Sequence, residues 1–241
     1  MSWSYAPVWD VRRTSLARFR LVHPDQPWAG DRPREDGPDV GALFDLDEAA
    51  VAKATEDLAG LASEDRAVVV CTVHAASLAA ESRRSRLLQR VARAPAAVRR
   101  GFAFEVLAAD LAPAAPTEDF IEAAADLRLR CGVAAPLADR DSVENEGDSG
   151  DTAAAELRGI VDQPEALSRL TDFARRCARR GQLSVAYGLD TSAFVLAAAA
   201  AGVRLLSGRG VHEDVQTLDL GRRFTLADMY ARRGRGGGPP T

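Results

Sequence analysis

Polar side chains follow several of the apolar runs in this 241-residue sequence. Carboxylate oxygens are the ligands that hard divalent cations require, and arginine is well matched to phosphate oxygens. If the apolar runs are parallel strands, their carboxyl ends meet, and the polar groups there would form a binding or catalytic site. The candidates are Thr72, Glu105, Asp139, Arg158, Tyr187 and Asp190.

Several other chemistries lack their residues. The three histidines and three cysteines are dispersed and show no metal-ligand spacing, so we expect no zinc site and interpret the cysteines as reduced core thiols. The motifs G-x-S-x-G, G-x-x-x-x-G-K and H-E-x-x-H do not occur. The sequence therefore predicts no cofactor and no bound metal.

An alternation of strand and helix patterns positions these residues. Two apolar segments, residues 5–11 and 16–22, are joined by a turn too short for a parallel crossover, which predicts an antiparallel opening pair. Apolar runs typical of buried parallel strands follow at residues 67–73, 102–107, 133–138, 157–161, 183–189 and 203–206. Helical patterns lie between them, the first capped by Asp45 or Asp47 and the third ended by Gly132.

This order of elements predicts one α/β domain, a TIM-like (β/α)8 barrel with an antiparallel first strand, over residues 1–221. Residues 222–241 are predicted as a C-terminal tail with a short helix at 226–232 followed by a disordered end. The acidic segment 139–151 has almost no apolar residues and is predicted to be a mobile loop.

Charge and hydropathy restrict the partners. The formal net charge of −4 argues against general nucleic-acid binding, although all but one of the 31 basic residues are arginine. No stretch approaches the length of about 20 apolar residues that a membrane span needs. The sequence therefore predicts a cytoplasmic protein that contacts neither nucleic acid nor membrane.

Three short segments, in order along the chain, carry a resemblance. They read Tyr-Ala-Pro-Val-Trp-Asp-Val-Arg at 5–12, Val-Ala-Tyr-Gly-Leu-Asp-Thr at 185–191 and Leu-Leu-Ser-Gly at 205–208. Together they resemble the EAL family of cyclic di-GMP phosphodiesterases over roughly residues 5–211. The resemblance implies a barrel of the EAL type, whose active members hold two divalent cations with carboxylates and an asparagine at the strand ends.

The resemblance also implies that most of these metal ligands are replaced. The glutamate of the signature Glu-Ala-Leu falls on Arg20, the asparagine falls on Thr72, and the glutamate of Ala-Glu-Gly falls on Tyr187. One glutamate survives as Glu105. The sequence therefore predicts a degenerate domain without two-metal catalysis.

Two further motif positions complete this predicted vestigial pocket. The Asp-Asp-Phe-Gly motif falls on 138–141 and keeps Asp139 at best, and the Lys-Ile-Asp motif falls on 158–160, beginning at Arg158. Glu105 is interpreted as an ion-pair partner of Arg20 or Arg158, with ligand binding as the alternative. Asp190 is interpreted as a helix cap and Tyr187 as a side chain that fills the pocket.

Four functions fit these observations. The first is an inactive regulatory or interaction module in bacterial signalling that contacts a protein partner or a second copy. The second is a receptor that binds cyclic di-GMP without cleaving it, with Arg20 and Arg158 meeting phosphates. The third is residual phosphodiesterase activity, and the fourth is an unrelated barrel enzyme. Arginines that converge in the mouth of the barrel, with an open cavity beside them, would separate the second function from the first.

Overall fold

The structure is a computed structural model that describes residues 3–24, 39–61, 67–107, 114–137, 150–157, 163–218 and 222–236. The strands are β1 Ser4–Asp10, β2 Ser15–Val22, β3 Val68–His74, β4 Phe102–Leu107, β5 Arg130–Pro136, β6 Thr152–Glu156, β7 Leu183–Tyr187, β8 Leu205–Ser207 and β9 Arg222–Arg223. The helices are α1 Val40–Gly60, α2 Glu81–Ala92, α3 Ala96–Gly101, α4 Ala114–Asp126, α5 Gln163–Arg180, α6 Ser192–Ala200 and α7 Leu226–Gly236, with a 3₁₀ turn at Ala75–Ala79.

The first eight strands close into a barrel. Strands β2 to β8 run parallel in chain order, and β1 closes the ring by pairing antiparallel with both β2 and β8. The short strand β9 pairs with the beginning of β2. The predicted TIM-like (β/α)8 barrel with an antiparallel first strand is therefore confirmed.

The turn between β1 and β2 explains why the first pair is antiparallel. The carboxylate of Asp10 accepts hydrogen bonds from the backbone N–H groups of Arg12 and Arg13, at 3.1 and 3.0 Å. Thr14 adopts a left-handed conformation with a φ of 48°. A connection this short reverses the chain but cannot carry it across the sheet to a parallel neighbour.

The core has one layer outside the barrel, against the helices, and one layer inside it. On β4, Phe102, Phe104 and Val106 pack outward into the layer formed with the helices, whereas Leu107 lies in the apolar cluster inside the barrel. Because successive strand residues face opposite sides, Glu105 also points inward. The interior cluster contains small side chains, Ala134 and Ala154 among them, which leaves room for larger polar groups.

Helix α1 begins earlier than the sequence predicted. Its N-cap is Asp39, whose side chain accepts the backbone N–H groups of Gly41 and Ala42 at 2.9 and 3.1 Å. The prediction that Asp45 or Asp47 caps this helix is wrong, because both lie inside it. Asp47 is fully buried and has a different role, in the site.

The prediction of β6 is also wrong in position. The strand was expected at residues 157–161, but it comprises Thr152–Glu156. Alanine is depleted in strands, so the run of three alanines at 153–155 gave little indication of one. The residue at the carboxyl end of this strand is therefore Glu156 rather than a residue near 160.

Gly132 does not end a helix, as the sequence suggested. Helix α4 ends at Asp126, and Arg128, with a φ of 56°, turns the chain into β5, where Gly132 lies. A Cβ at Gly132 would lie 1.9 Å from Thr152 Oγ1 and 2.6 Å from the Thr152 carbonyl oxygen on β6. Close approach of two strands therefore requires glycine here.

The C-terminal segment packs under the barrel. The indole Nε1 of Trp9 donates to the carbonyl of Phe224 at 3.0 Å, and both residues are buried. The predicted helix at 226–232 lies within α7, while residues 237–241 and most of the predicted loop at 139–151 lie outside the described residues. The division of the chain at residue 221 stays a prediction.

Candidate functional site

Arg20 stands at the centre of a buried polar cluster inside the barrel. It lies on β2, in register with Val70 of β3, and only 2% of its surface is exposed. Its Nη2 lies 2.9 Å from Glu105 Oε1, and its Nη1 donates to Glu156 Oε2 at 3.2 Å. Its Nε donates to the hydroxyl of Thr72 at 3.2 Å. One guanidinium thus contacts two carboxylates and a hydroxyl.

The strand register explains how these residues meet. Thr72 and Glu105 are register partners on β3 and β4, and Glu156 and Tyr187 are register partners on β6 and β7. The two pairs stand on different sides of the barrel, and all four side chains are buried. The long side chain of Arg20 reaches both sides, so it ties the two halves of the barrel together.

Tyr187 closes the cluster on the remaining side. Its hydroxyl donates to Glu105 Oε2 at 2.7 Å, and the guanidinium carbon of Arg20 lies 4.0 Å from the centre of its ring. A cation over an aromatic face is attracted by the ring quadrupole, most strongly when both groups are out of water. Tyr187 therefore holds both members of the Arg20–Glu105 pair.

The electrostatics favour a permanent ion cluster. Burial acts to lower the pKa of Arg20, but the charges of Glu105 and Glu156 and the hydrogen bond to Glu156 outweigh it and raise the pKa above its ordinary value. Burial, followed by the charge of Glu105, raises the pKa of Tyr187 well above its ordinary value. Arg20 therefore stays charged and Tyr187 stays neutral at neutral pH.

Four of the predicted residues, Arg20, Thr72, Glu105 and Tyr187, come together in this cluster. Asp190 does not: it is exposed and pairs with Arg209 at 3.2 Å. The prediction that Asp190 caps a helix is wrong, because Thr191 is the N-cap of α6 and accepts the N–H of Phe194 at 3.2 Å. Asp139 and Arg158 lie outside the described residues.

Glu156 is a member of the cluster that the sequence prediction missed. It was overlooked because the strand that carries it was placed at residues 157–161. A polar residue ending an apolar alanine run was the available signal. Since Arg20 and Glu156 are 136 positions apart in sequence, only the closed barrel brings them together.

A second buried pair, Asp47 and His74, lies where α1 meets the carboxyl end of β3. One oxygen of Asp47 lies 2.7 Å from Nδ1 of His74, and the other accepts the backbone N–H of His74 at 3.1 Å. Nε2 of His74 is buried and has no hydrogen-bond partner in the described part of the chain. An acidic residue within the apolar stripe of α1, between Phe44 and Val51, was the sequence signal for this pair.

Comparison with known proteins settles the fold. No family model matches the sequence, and a search of curated proteins finds no relative. Among solved structures, the EAL domain of Mycobacterium smegmatis DcpA superposes with a TM-score of 0.63 at 13% identity, over 99% of this chain and 99% of that one. The chain has the fold of an EAL domain.

Other EAL structures agree. Bacillus subtilis YkuI, solved with cyclic di-GMP and calcium, has a TM-score of 0.67 at 11% identity, over 91% of this chain and 56% of YkuI. The EAL domain of Pseudomonas aeruginosa FimX, solved with cyclic di-GMP, has a TM-score of 0.64 at 12% identity, over 91% of this chain and 92% of that one. These superpositions show that the chain shares the EAL fold.

The residues present do not fit the two divalent cations that the EAL resemblance implies. The guanidinium of Arg20, the residue that the resemblance assigns to the signature glutamate, already lies against the carboxylates of Glu105 and Glu156, at 2.9 and 3.2 Å. Within the described ranges, no three His, Cys, Asp or Glu side chains converge in a way that could hold a metal ion.

None of the described helices has the length and apolar character needed to cross a bilayer.

Proposed function

We propose that this EAL-fold chain is a catalytically inactive module that acts in regulation by contacting a protein partner or a second copy of itself. The observation that carries the proposal is the Arg20–Glu105–Glu156 cluster. It places a fixed positive charge, already neutralised by carboxylates, at the position that the resemblance assigns to a metal ligand. Arginine keeps its positive charge at every usable pH, so it would repel a divalent cation at this position.

Ligand number supports the same proposal. Two-metal hydrolysis needs several anionic oxygens around each cation, to bind it and to activate a water molecule. Glu105 is the matched carboxylate inside the described cluster, and its two oxygens are engaged by Arg20 and Tyr187. Thr72 and Tyr187, at two further ligand positions, supply only neutral hydroxyl groups.

The state of Arg20 also makes the receptor hypothesis the weaker one. A phosphate-binding arginine must present free N–H donors to its ligand. Arg20 is buried, its N–H groups donate to Glu156 and Thr72, and it forms an ion pair with Glu105. Cyclic di-GMP is bound in the YkuI and FimX structures, which share the fold. Because Arg20 is already paired here, binding of cyclic di-GMP by this chain would have to use other groups.

Isothermal titration calorimetry with cyclic di-GMP, with and without Mg²⁺, tests the proposal. An active EAL domain serves as the positive control under the same conditions. We expect no binding in either condition. Binding without Mg²⁺ would favour the receptor, and binding that requires Mg²⁺ would overturn the proposal, because it would demonstrate a metal site. Light scattering during size-exclusion chromatography tests self-association in the same samples.

A further inference from the structure

A cavity of about 940 Å³ opens at the end of the barrel opposite the strand ends that carry the candidate site. It lies where β3 to β8 begin, and its walls include Val68, Thr152 and Leu183 from the first residues of three strands. Barrel interiors are normally filled by layers of side chains. Here the described wall includes the small residues Ser15, Ala67, Ala97 and Gly101, which leave space between the strand ends for the cavity.

Positive charge dominates the lining. Among the described residues, the charged ones in the lining are the two carboxylates Asp10 and Asp151 and the five arginines Arg13, Arg18, Arg100, Arg130 and Arg204. Asp10 is already occupied: its two oxygens lie 2.6 and 3.0 Å from Nε and Nη2 of Arg204, and one lies 3.9 Å from Arg13. The remaining arginines are therefore not neutralised by Asp10.

Arg18 is the innermost of the remaining arginines. It precedes Arg20 by two residues on β2, so it points into the same interior, one layer lower. Burial, the largest effect, lowers the pKa of Arg18, and the nearby charge of Arg130 adds to this effect, while Tyr187, Glu105 and Asp10 oppose it. Within the described part of the chain, Arg18, Arg100 and Arg130 form no hydrogen bond or ion pair.

These features define the class of ligand. A guanidinium binds a phosphate through two parallel hydrogen bonds, and the interaction is strongest where water is partly excluded. The walls also include Leu58, Leu61, Leu183 and Leu205, which offer an apolar surface beside the arginines. A volume of this size falls in the range of about 300–1,000 Å³ typical of small-molecule sites.

We propose that this cavity binds a small organic phosphate, with its phosphate groups on Arg18, Arg100 and Arg130 and its organic part against the leucines. A small molecule would then bind this module at the end of the barrel opposite the Arg20 cluster. The proposal does not depend on whether the domain is inactive, because no residue of the Arg20 cluster lines this cavity.

The test is calorimetric titration of the full chain with ATP, inorganic pyrophosphate and adenosine, at constant ionic strength and with EDTA. ATP should bind more tightly than pyrophosphate, and adenosine should not bind, because the phosphates supply the charge and the apolar wall adds to it. Arg18→Gln and Arg130→Gln should each weaken ATP binding about tenfold or more, since each removes a charge-assisted contact. Arg90→Gln, an exposed position on α2, is the matched control and should change the affinity less than about twofold.

Three results would overturn the proposal. The first is the absence of ATP binding. The second is binding that survives both Arg18→Gln and Arg130→Gln, which would place the ligand elsewhere. The third is equal affinity for ATP and pyrophosphate, which would indicate an anion site without an organic part. Arg130 is exposed, so its variant keeps the test valid even if Arg18→Gln folds poorly.

Discussion

The guanidinium of Arg20 lies 2.9 Å from the carboxylate of Glu105, and both side chains are almost completely buried inside the barrel. Glu156 approaches the same guanidinium at 3.2 Å from another strand. Burying charges costs solvation free energy, which is recovered only when partners and hydrogen bonds are complete. The cluster thus makes the stability of the barrel depend on Arg20 and its two carboxylate partners.

Replacing Arg20 with alanine should destabilise the protein strongly, because Glu105 and Glu156 would remain buried without their shared cation. We expect a loss of about 3–5 kcal/mol in the free energy of unfolding, measured by urea denaturation. Arg20→Lys should cost less, since it keeps the charge and loses only the forked geometry. Arg90→Ala, on the exposed face of α2, should change stability by no more than about 0.5 kcal/mol. A loss below about 1 kcal/mol for Arg20→Ala would refute the structural role of the cluster.

Tyr187→Phe removes only the hydroxyl that donates to Glu105 and keeps the ring beneath Arg20. The expected loss in the free energy of unfolding is about 1–3 kcal/mol, because a buried charged acceptor loses its donor. Tyr230→Phe is the control, since Tyr230 is 49% exposed on α7. Equal stability of the two variants would show that the Tyr187 hydrogen bond contributes nothing.

Gly132→Ala should destabilise the barrel, because a new Cβ would clash with Thr152 Oγ1 and with the carbonyl of the same residue. Separation of β5 from β6 should cost about 1–3 kcal/mol. Gly60→Ala is the matched control, because nothing lies within 4 Å of a Cβ at that helical position. The thermal unfolding temperature should therefore fall clearly more for Gly132→Ala than for Gly60→Ala. A Gly132→Ala protein as stable as the Gly60→Ala protein would contradict the β5–β6 contact.

Burial raises the pKa of the Cys131 thiol to about 12. Because an unfolded cysteine titrates near about pH 8.5, the unfolded state releases its proton first as the pH rises. The contribution of Cys131 to stability is therefore complete below about pH 8.5 and is lost between that pH and about 12. In this window, the free energy of unfolding should fall less steeply with pH for Cys131→Ala than for the unchanged protein. The two slopes should differ by up to ~1.4 kcal/mol per pH unit. Denaturation curves collected at several pH values check this, and parallel pH profiles for the two proteins would exclude a raised pKa.

The sequence predicted the parts of this fold that depend on local patterns. Strand β4 has the predicted bounds, because Phe102, Phe104 and Val106 are of types enriched in strands and alternate along it. The antiparallel opening pair followed from the length of its turn. Strand β6 was misplaced because its alanines carry little strand preference, and the start of α1 was misplaced because Asp39 follows a proline-rich stretch.

The composition of the cluster could be predicted only in part. Arg20, Thr72, Glu105 and Tyr187 were found through the ordered resemblance to a family, since each stands at or near a strand end. Glu156 and the Asp47–His74 pair depend on contacts between residues distant in sequence. No local pattern encodes such contacts, and the cavity lined by arginines at the opposite end depends on the closed barrel in the same way.

We propose that a structural ion cluster around Arg20 stands where the resemblance places a metal site. Turnover of cyclic di-GMP by the purified chain, followed chromatographically with Mg²⁺ or Mn²⁺, tests it most directly. We predict no hydrolysis above background, and none after Arg20→Glu, because Thr72 and Tyr187 would still stand at the two further ligand positions that the resemblance assigns to them. Metal-dependent turnover that disappears in Glu105→Ala would contradict the claim and show that a working metal site persists.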